Sequence, residues 1–265
     1  MRETIICGID AGLMNLKIVL LQKTDVIYSA TLPIEANTTA EIAKVALKEA
    51  MEKTGIAKGD FLGIYATGVG SAEVHFATKT LPEASCIAAG VEKLQSAFDG
   101  IILDVGAHKA IAVQCKKGMP YKVAYSDRCA SSSGIYLEMV AQLLDKEITE
   151  IGALALESKE EVSLQSSCAI YAESEIISLL HSQKHPEDIL KAVYRGIAAR
   201  SFPLLIQTGF TPGKTLVAAI GGTAYNVGLL KALEERLRTD IWVPENPNKP
   251  GAIGAALLGL EGDQK

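Results

Sequence analysis

Two segments of this chain combine an acid and a glycine at the tip of a predicted β-hairpin. In each, an apolar run ends in Asp-x-Gly and a second apolar run follows, a pattern of strand, tight turn and strand. The first copy runs from Thr4 through Asp10-Ala11-Gly12 to Leu21, and the second from Ile101 through Asp104-Val105-Gly106 to Val113. A glycine lets backbone amides approach a bound group closely, and a carboxylate beside it can hold a metal-bound water. Asp10 and Asp104 are therefore the candidate catalytic carboxylates.

The repetition of this hairpin decides between two interpretations. Asp and Gly are common turn residues, so one copy alone would indicate an ordinary hairpin turn. Two copies in matching contexts instead favour a duplicated, two-lobed fold with a cleft between the lobes. Paired hairpins at such a cleft can grip the phosphates of ATP or ADP with its Mg²⁺ ion.

A third glycine motif follows the two hairpins. The apolar run Leu216 to Ile220 leads into Gly221-Gly222 and then a predicted helix from Asn226 to Leu237. A helix start with bare backbone before it is a place for a flat or anionic ligand. Taken alone, the pair favours a plain strand-to-helix turn, but its position after both hairpins favours a ligand site. A Pro-rich loop and a small-residue helix from Gly251 to Leu258 close the chain, and we expect this helix to pack tightly against the first lobe.

Composition excludes several classes of protein. The chain has 265 residues, 48% of them hydrophobic, and a net charge of -5. That charge, with no Lys/Arg-rich run, argues against nucleic acid as the main partner. No apolar stretch approaches the ~20 residues that span a bilayer, and the Met1-Arg2-Glu3 start lacks the features of a secretion signal. We therefore expect no membrane association and a cytoplasmic location. Five scattered cysteines do not indicate a disulfide framework.

The order of apolar runs and caps predicts an α/β fold in two lobes. The first lobe comprises residues 1–98 plus 250–265, and the second comprises 99–249. Predicted elements of the first lobe are a strand over Val26–Leu32, a helix over Glu41–Lys53 capped at Thr38, a buried strand over Phe61–Ala66, and a helix over 84–97. The second lobe carries longer helices, predicted over Ser132–Leu144, Ser167–Leu180 and Pro186–Gln207.

The motif order resembles the actin, sugar-kinase and heat-shock-chaperone ATPase superfamily. Within it, the chain looks most like the activator ATPases of 2-hydroxyacyl-CoA dehydratases and the ATPase subunits of benzoyl-CoA reductase, the BadF/BadG/BcrA/BcrD type. Two cysteine motifs carry this likeness, Ser126-Asp127-Arg128-Cys129-Ala130 and Ser167-Cys168-Ala169-Ile170-Tyr171-Ala172-Glu173-Ser174-Glu175. The resemblance implies a duplicated actin-like ATPase (ribonuclease H-like) fold, in which the hairpins are phosphate loops and the Gly-Gly turn is the adenosine site.

The resemblance also implies a [4Fe-4S] cluster shared between two subunits. Each subunit of a homodimer, or of a heterodimer with a paralogue, would supply Cys129 and Cys168 as ligands. Both lie at predicted helix starts, where the positive end of the helix lowers a thiol pKa and offsets the cluster's charge. The default interpretation of an isolated cytosolic cysteine is a small buried hydrophobe, and it is kept for Cys7, Cys86 and Cys115.

The function that the resemblance implies is ATP-dependent electron transfer in anaerobic metabolism. Such an activator delivers one low-potential electron to a partner iron-sulfur dehydratase or reductase that acts on an acyl-CoA. The implied nucleotide contacts are Gly12, Asn15, Lys17, Gly106, His108, Lys109, Glu173, Gly221, Gly222 and Asn226. Two alternatives are a degenerate, non-hydrolysing iron-sulfur or regulatory subunit of the same family and, ranked below it, a small-molecule kinase.

Both phosphate loops depart from the family pattern. The first has Gly12-Leu13-Met14-Asn15 where the family has Gly-Ser-Thr, so hydroxyl contacts to phosphate are missing. The second has Ala107-His108-Lys109, where the family has Gly-Gln-Asp and a cation therefore replaces an acid. Whether the chain hydrolyses ATP or only binds it is left open by these changes.

Overall fold

Two five-stranded sheets form the framework of the protein. The computed structural model describes residues 5–126, 133–165 and 168–263. The strands are β1 (Ile5–Ala11), β2 (Asn15–Gln22), β3 (Asp25–Pro33), β4 (Phe61–Thr67), β5 (Lys79–Thr80), β6 (Gly100–Val105), β7 (Ala110–Lys116), β8 (Met119–Tyr125), β9 (Leu216–Ile220) and β10 (Ile241–Trp242). The helices are α1 (Thr39–Thr54), α2 (Glu83–Leu94), α3 (Gly134–Leu143), α4 (Ile151–Ala155), α5 (Ala169–His181), α6 (Pro186–Gln207), α7 (Val227–Leu237) and α8 (Pro250–Asp263).

The two sheets share one topology. Their strand orders are β3-β2-β1-β4-β5 and β8-β7-β6-β9-β10, so the same sequence of strands is laid down twice. In the first sheet β1 pairs antiparallel with β2 and parallel with β4, and in the second β6 pairs parallel with β9. The duplication that the two Asp-x-Gly segments predict is therefore confirmed in the strand order.

Alternation along β1 explains why the first sheet is covered on both faces. Cys7 and Ile9 point into a core shared with α1, whereas Ile6 points into a second core built with α8. Because both faces are buried, the strand reads as a continuous apolar run rather than as alternating polar and apolar residues. Asp10 falls on the α8 face, near the end of the strand, where its side chain is mostly covered.

The helix α1 begins and ends at the residues that its sequence predicts. The Thr38 hydroxyl accepts from the Glu41 amide at 3.3 Å, and the Glu41 carboxylate accepts from the Thr38 amide at 2.9 Å, forming a capping box. Gly55 ends the helix in the left-handed conformation with φ of 72°. These caps fix the connection from β3 to β4.

Small residues let α8 lie close to β1 and α2. Ala252, Ala255 and Ala256 belong to the core of the α8 face and are buried. A Cβ atom at Gly254 would overlap the carbonyl oxygen of Cys86 on α2. The helix α8 therefore packs tightly, as expected of a helix of small residues.

The second sheet packs one face against the helices α3 to α7. Their shared core contains Leu103 of β6, Tyr136 of α3, Ile176 of α5, Tyr194 of α6 and Leu233 of α7. The helix α6 has the predicted bounds, and α7 follows a short 3-10 helix at Gly222–Tyr225. The short elements β5, α4 and β10 were not predicted, because they are too short to carry a periodic pattern.

Contacts divide the chain into two compact units. The first contains 1–99, 115–121 and 248–265, and the second contains 100–114 and 122–247. The predicted lobes differ from these two units mainly at residues 115–121, which comprise the end of β7, the start of β8 and the turn between them. The sequence pattern places these residues in the second lobe. That turn belongs with the first unit because the Gly118 amide donates to the carbonyl of Phe98 at 3.1 Å.

The helix predicted over 84–97 is shorter than expected, and Glu92 is the reason. Its carboxylate accepts from the backbone amides of Ala97 at 2.7 Å and Phe98 at 2.9 Å. The chain therefore leaves the helix after Leu94 and passes through Ala97 with φ of 58°. Within the described ranges, no helix has the length and apolarity that crossing a bilayer requires.

The fit of α8 against α2 predicts opposite effects for two glycines of one helix. Gly254→Ala should lower the free energy of unfolding by about 1–3 kcal/mol, because the added methyl group forces α8 away from α2. Gly262→Ala is the matched control, since open space surrounds that position and alanine is the better helix former. Denaturant unfolding of both variants measures the difference, and equal stabilities would contradict the packing described.

Candidate functional site

The tip of the first hairpin is an ion pair closed by a backbone turn. Asp10 and Lys17 lie opposite each other in the β1 and β2 register. The Lys17 Nζ lies 3.2 Å from the Asp10 Oδ2, with side chains only 15% and 18% exposed. The Gly12 amide donates to the carbonyl of Asn15 at 3.1 Å, which closes the turn. The structure thus brings together the four residues that the sequence assigned to this hairpin.

The second hairpin has a similar turn with a different polar side chain. The Gly106 amide donates to the carbonyl of Lys109 at 2.9 Å. The Lys109 Nζ lies 5.5 Å from the ring centroid of Tyr125, within range of a cation-π interaction. His108 is half-buried beside it. Because Tyr125 ends β8, the tip contacts the strand that leads into the first cysteine motif.

The Gly-Gly turn lies against the end of β6 in the second unit. Asp104 is paired in register with Ile220, the residue before Gly221. Gly221 has φ of 86°, and a Cβ atom there would overlap the Asp104 Oδ1, so only glycine fits. The Thr223 hydroxyl donates to the carbonyl of Val105 at 2.6 Å. The turn and the second carboxylate therefore lie together at the end of β6, and Thr223 contacts the same strand end, which the sequence did not indicate.

Asn226 has a contact different from the predicted one. Its Oδ1 accepts from the Leu229 amide at 3.1 Å, which makes it the N-cap of α7. Its Nδ2 donates to the Tyr194 hydroxyl at 2.8 Å. Burial raises the pKa of that tyrosine well above its usual range, so the hydroxyl stays protonated. Both polar atoms of the Asn226 side chain thus make contacts within the fold, and they hold α7 in place behind the Gly-Gly turn.

The start of α3 is bound to the tip of the second hairpin. The Gly134 amide donates to the carbonyl of Gly106 at 3.0 Å, and the Ile135 amide donates to the carbonyl of Ala107 at 3.1 Å. Ser133, the N-cap residue, makes no side-chain capping bond. The hairpin carbonyls therefore satisfy amides that a helix start otherwise leaves without a helical partner.

Cys168 is the N-cap of α5, as the sequence predicts. It is half-buried, and the Ala172 amide donates to its carbonyl at 2.9 Å. Just before it, the Gln165 amide donates to the Glu175 carboxylate at 2.7 Å, so the loop is tied to the helix. Glu175 is therefore a positioning residue for the loop before Cys168. Glu173 is half-buried on the same helix.

A buried carboxylate fastens the loop further upstream. Asp188 on α6 accepts from the Ser158 hydroxyl and the Lys159 amide at 2.8 Å, and from the Glu160 amide at 2.9 Å. Burial opposes its ionisation, but these hydrogen bonds outweigh that effect and hold its pKa below the usual range. The ionised form therefore stabilises the loop that precedes Cys168.

The other described cysteines are interior residues. Cys7, Cys86 and Cys115 are buried, and burial raises the pKa of Cys86 to about 11 and of Cys115 to about 12. Burial raises the pKa of Cys7 as well. They pack as small apolar side chains, as expected. The other predicted cluster ligand, Cys129, lies outside the described residues.

Apolar side chains are exposed on the surface of α5, the helix that begins after Cys168. Ile170 is 73% exposed, Tyr171 is 70% exposed and Ile177 is 38% exposed. Within the described ranges, no three His, Cys, Asp or Glu side chains converge on a metal position in the single chain. A metal centre here would therefore need ligands from the undescribed cysteine motif or from another chain.

Two sheets of equal strand order, each with an acid and a glycine at the first hairpin, define an α/β protein of the actin-like ATPase fold. The chain belongs to the BadF/BadG/BcrA/BcrD ATPase family, whose model matches residues 7–259. The family resemblance predicted from the cysteine motifs is therefore confirmed.

Similar proteins cover nearly the whole chain. The activator of lactoyl-CoA dehydratase from Anaerotignum propionicum is 33% identical, over 97% of this chain and 98% of that protein. The 2-hydroxyisocaproyl-CoA dehydratase activator from Clostridioides difficile is 32% identical, over 96% of this chain and 94% of that protein. A solved structure of the activator of the 2-hydroxyisocaproyl-CoA dehydratase from Clostridium difficile, with bound ADPNP, has a TM-score of 0.90 at 30% identity and covers 98% of this chain and 96% of that chain.

The Gly-Gly turn predicts different tolerance of its two glycines. Gly221→Ala should lower the free energy of unfolding by about 2 kcal/mol and greatly weaken ADP binding, because the methyl group is strained and displaces Asp104. Gly222→Ala, whose Cβ meets open space within the protein, should leave the free energy of unfolding unchanged and is the control for the strain. Calorimetric titration with ADP checks this. If the Gly221 variant binds ADP as tightly as wild type, the Gly-Gly turn is not part of the nucleotide site.

Proposed function

We propose that this protein is an ATP-dependent activator that delivers a low-potential electron to a partner acyl-CoA dehydratase or reductase in the cytoplasm. The observation that carries the proposal is the hydrogen-bonded link from the second hairpin to the start of α3, the helix that follows the first cysteine motif. The activator names of the similar proteins support the same role.

Nucleotide binding is assigned to the hairpins and the Gly-Gly turn. Asp10 and Asp104 are proposed to orient the Mg²⁺ ion through bound water, and the lysines of the two tips to face phosphate. The backbone amides near Gly12 and Gly106 offer donors to the same groups. The ADPNP complex of a structural neighbour at 30% identity supports this assignment.

The position of Cys168 supports a thiolate-ligated [4Fe-4S] centre. Cys168 is the half-buried N-cap residue of a 13-residue helix, whose positive end would offset the negative charge of such a centre. We propose that Cys168 and Cys129 of each of two copies hold the centre. When bound, it supplies one-electron transfer at low potential. Glu175 and Asp188 would hold the loop before Cys168 in place during binding.

A homodimer is proposed because ligands from two copies complete the set of four. The exposed side chains of Ile170, Tyr171 and Ile177 support this arrangement, since they give the helix that follows Cys168 an apolar surface that association would bury. Pairing with a paralogue would need a partner with a similar apolar surface.

The link between nucleotide and electron transfer is assigned to the backbone of the second unit. The amides of Gly134 and Ile135 donate to carbonyls at the hairpin tip, so displacement of the tip displaces the start of α3. The Lys109 and Tyr125 contact joins the same tip to β8, on the other side of the cysteine motif. Both ends of the segment that carries Cys129 are thereby attached to the hairpin.

Cysteine substitution tests the metal assignment. Anaerobically purified wild-type dimer should contain about four irons per two chains, and Cys168→Ser should contain almost none, because two of four ligands are lost. Cys115→Ala is the matched control and should keep its iron, since that thiol is buried within β7. Iron and sulfide assays with light scattering measure composition and mass. Wild-type protein without iron under strict anaerobiosis would refute the electron-transfer function.

Substitution of Gly134 tests the link itself. Gly134→Pro removes the amide that donates to Gly106, while proline is well tolerated at the first helical position after an extended residue such as Ser133. The difference in reduction potential between the ATP and ADP states should then shrink, with iron content unchanged. Gly134→Ala keeps the amide, meets only ordinary contacts and should behave as wild type. Equal nucleotide responses in the proline variant and wild type would contradict the link.

A further inference from the structure

Polar side chains form a row across the first sheet beside the hairpin tip. Asp10, Lys17 and Thr31 lie opposite one another on adjacent antiparallel strands, so they project from one face. From the loop before α8, the Lys249 Nζ donates to the Thr31 Oγ1 at 2.7 Å, and the Asn248 Nδ2 donates to the same oxygen at 3.1 Å. These five residues, called the polar row below, place two ammonium groups near one carboxylate.

Lys249 is unusual because it is only 8% exposed. Lysines are almost never fully buried unless they are paired. Within the described ranges, no carboxylate lies within 4 Å of its Nζ, and its hydrogen-bond acceptor is a neutral hydroxyl. Burial, with a further effect of the charge on Lys17, lowers the pKa of Lys249 to about 8, against an opposing effect of Asp10.

The surroundings of the polar row favour an anion. The Asp10 carboxylate is already engaged by Lys17 at 3.2 Å, so the second ammonium group is an excess positive charge. The helix α8, 14 residues long, begins immediately after Lys249 with its positive end at the row. A Cβ atom at Gly251 in its first turn would lie 3.1 Å from the Asp10 Oδ2. A buried, uncompensated cation is costly, and a bound anion removes that cost.

We infer that Lys249 is a phosphate-binding residue that forms, with Lys17, a two-lysine clamp on the nucleotide at the first hairpin. The inference rests on the proposed function, because it takes the ligand to be a nucleoside di- or triphosphate. The hairpin tip itself presents Leu13 and Met14, whose side chains have no hydrogen-bond donor. The charge from two ammonium groups also makes phosphate binding less dependent on Mg²⁺ than a site with one lysine.

Replacement of Lys249 by an apolar side chain of similar length tests the clamp. Lys249→Met should fold, because removing an uncompensated buried charge is not destabilising. By calorimetric titration its Kd for ADP should rise about tenfold or more, since an ammonium-phosphate hydrogen bond is lost. The loss should be larger in EDTA than with Mg²⁺, which neutralises part of the phosphate charge. Affinity for adenosine should be unchanged, because adenosine has no phosphate.

Two further variants complete the design. Lys249→Gln keeps a donor for Thr31 but not the charge, and should lose ADP affinity as the methionine variant does. Lys48→Met removes an exposed lysine paired with Glu52 on α1 and should bind ADP as wild type does.

The possible outcomes separate the clamp from the proposed function. If wild-type protein binds no ADP, both fail. If wild-type protein binds ADP and both Lys249 variants bind it equally well, the clamp alone is overturned. Equal losses of affinity for adenosine and for ADP would also overturn the clamp. They would indicate that Lys249 maintains the shape of the site rather than recognising phosphate.

Discussion

The start of α3 depends on backbone carbonyls that belong to another element. A helix start usually satisfies its free amides with a side-chain cap, but Ser133 makes no such bond. The tip carbonyls of Gly106 and Ala107 take that place. The turn geometry of the hairpin, set by Gly106 and Lys109, therefore also sets where α3 begins. The Gly-Gly turn is bound to the end of β6, because the Thr223 hydroxyl donates to the carbonyl of Val105. The end of β6 therefore positions the hairpin tip, the start of α3 and the Gly-Gly turn.

The two hairpins have the same backbone design but different electrostatics. At the first tip a lysine is paired directly with the carboxylate, and a second, buried lysine lies in the same row of side chains. At the second tip the lysine Nζ lies 5.5 Å from the centroid of an aromatic ring. The duplicated strand order therefore carries different polar side chains at the two hairpin tips.

The sequence predicted those parts of the structure whose causes are local. The apolar runs of the hairpin strands, the Thr38 capping box, the bounds of α6 and the small residues of α8 are encoded within a few residues, and each was found. The contacts of Glu92, Glu175 and Lys249 were not predicted, because they depend on partners brought together by the fold. Lys249 and Thr31 are 218 residues apart. Asn226 was predicted as a ligand contact, whereas its side chain caps α7. The cysteine assignment came from family resemblance, since spacing alone could not distinguish a ligand from a buried thiol.

The burial of Cys7, Cys86 and Cys115 has a consequence for chemical work on this protein. Their raised pKa values keep these thiols protonated at neutral pH, and a protonated thiol is a poor nucleophile toward alkylating reagents. Brief treatment of the folded chain with a maleimide should thus spare the interior three. They need not be removed before the cysteines of the two motifs are studied by chemical labelling.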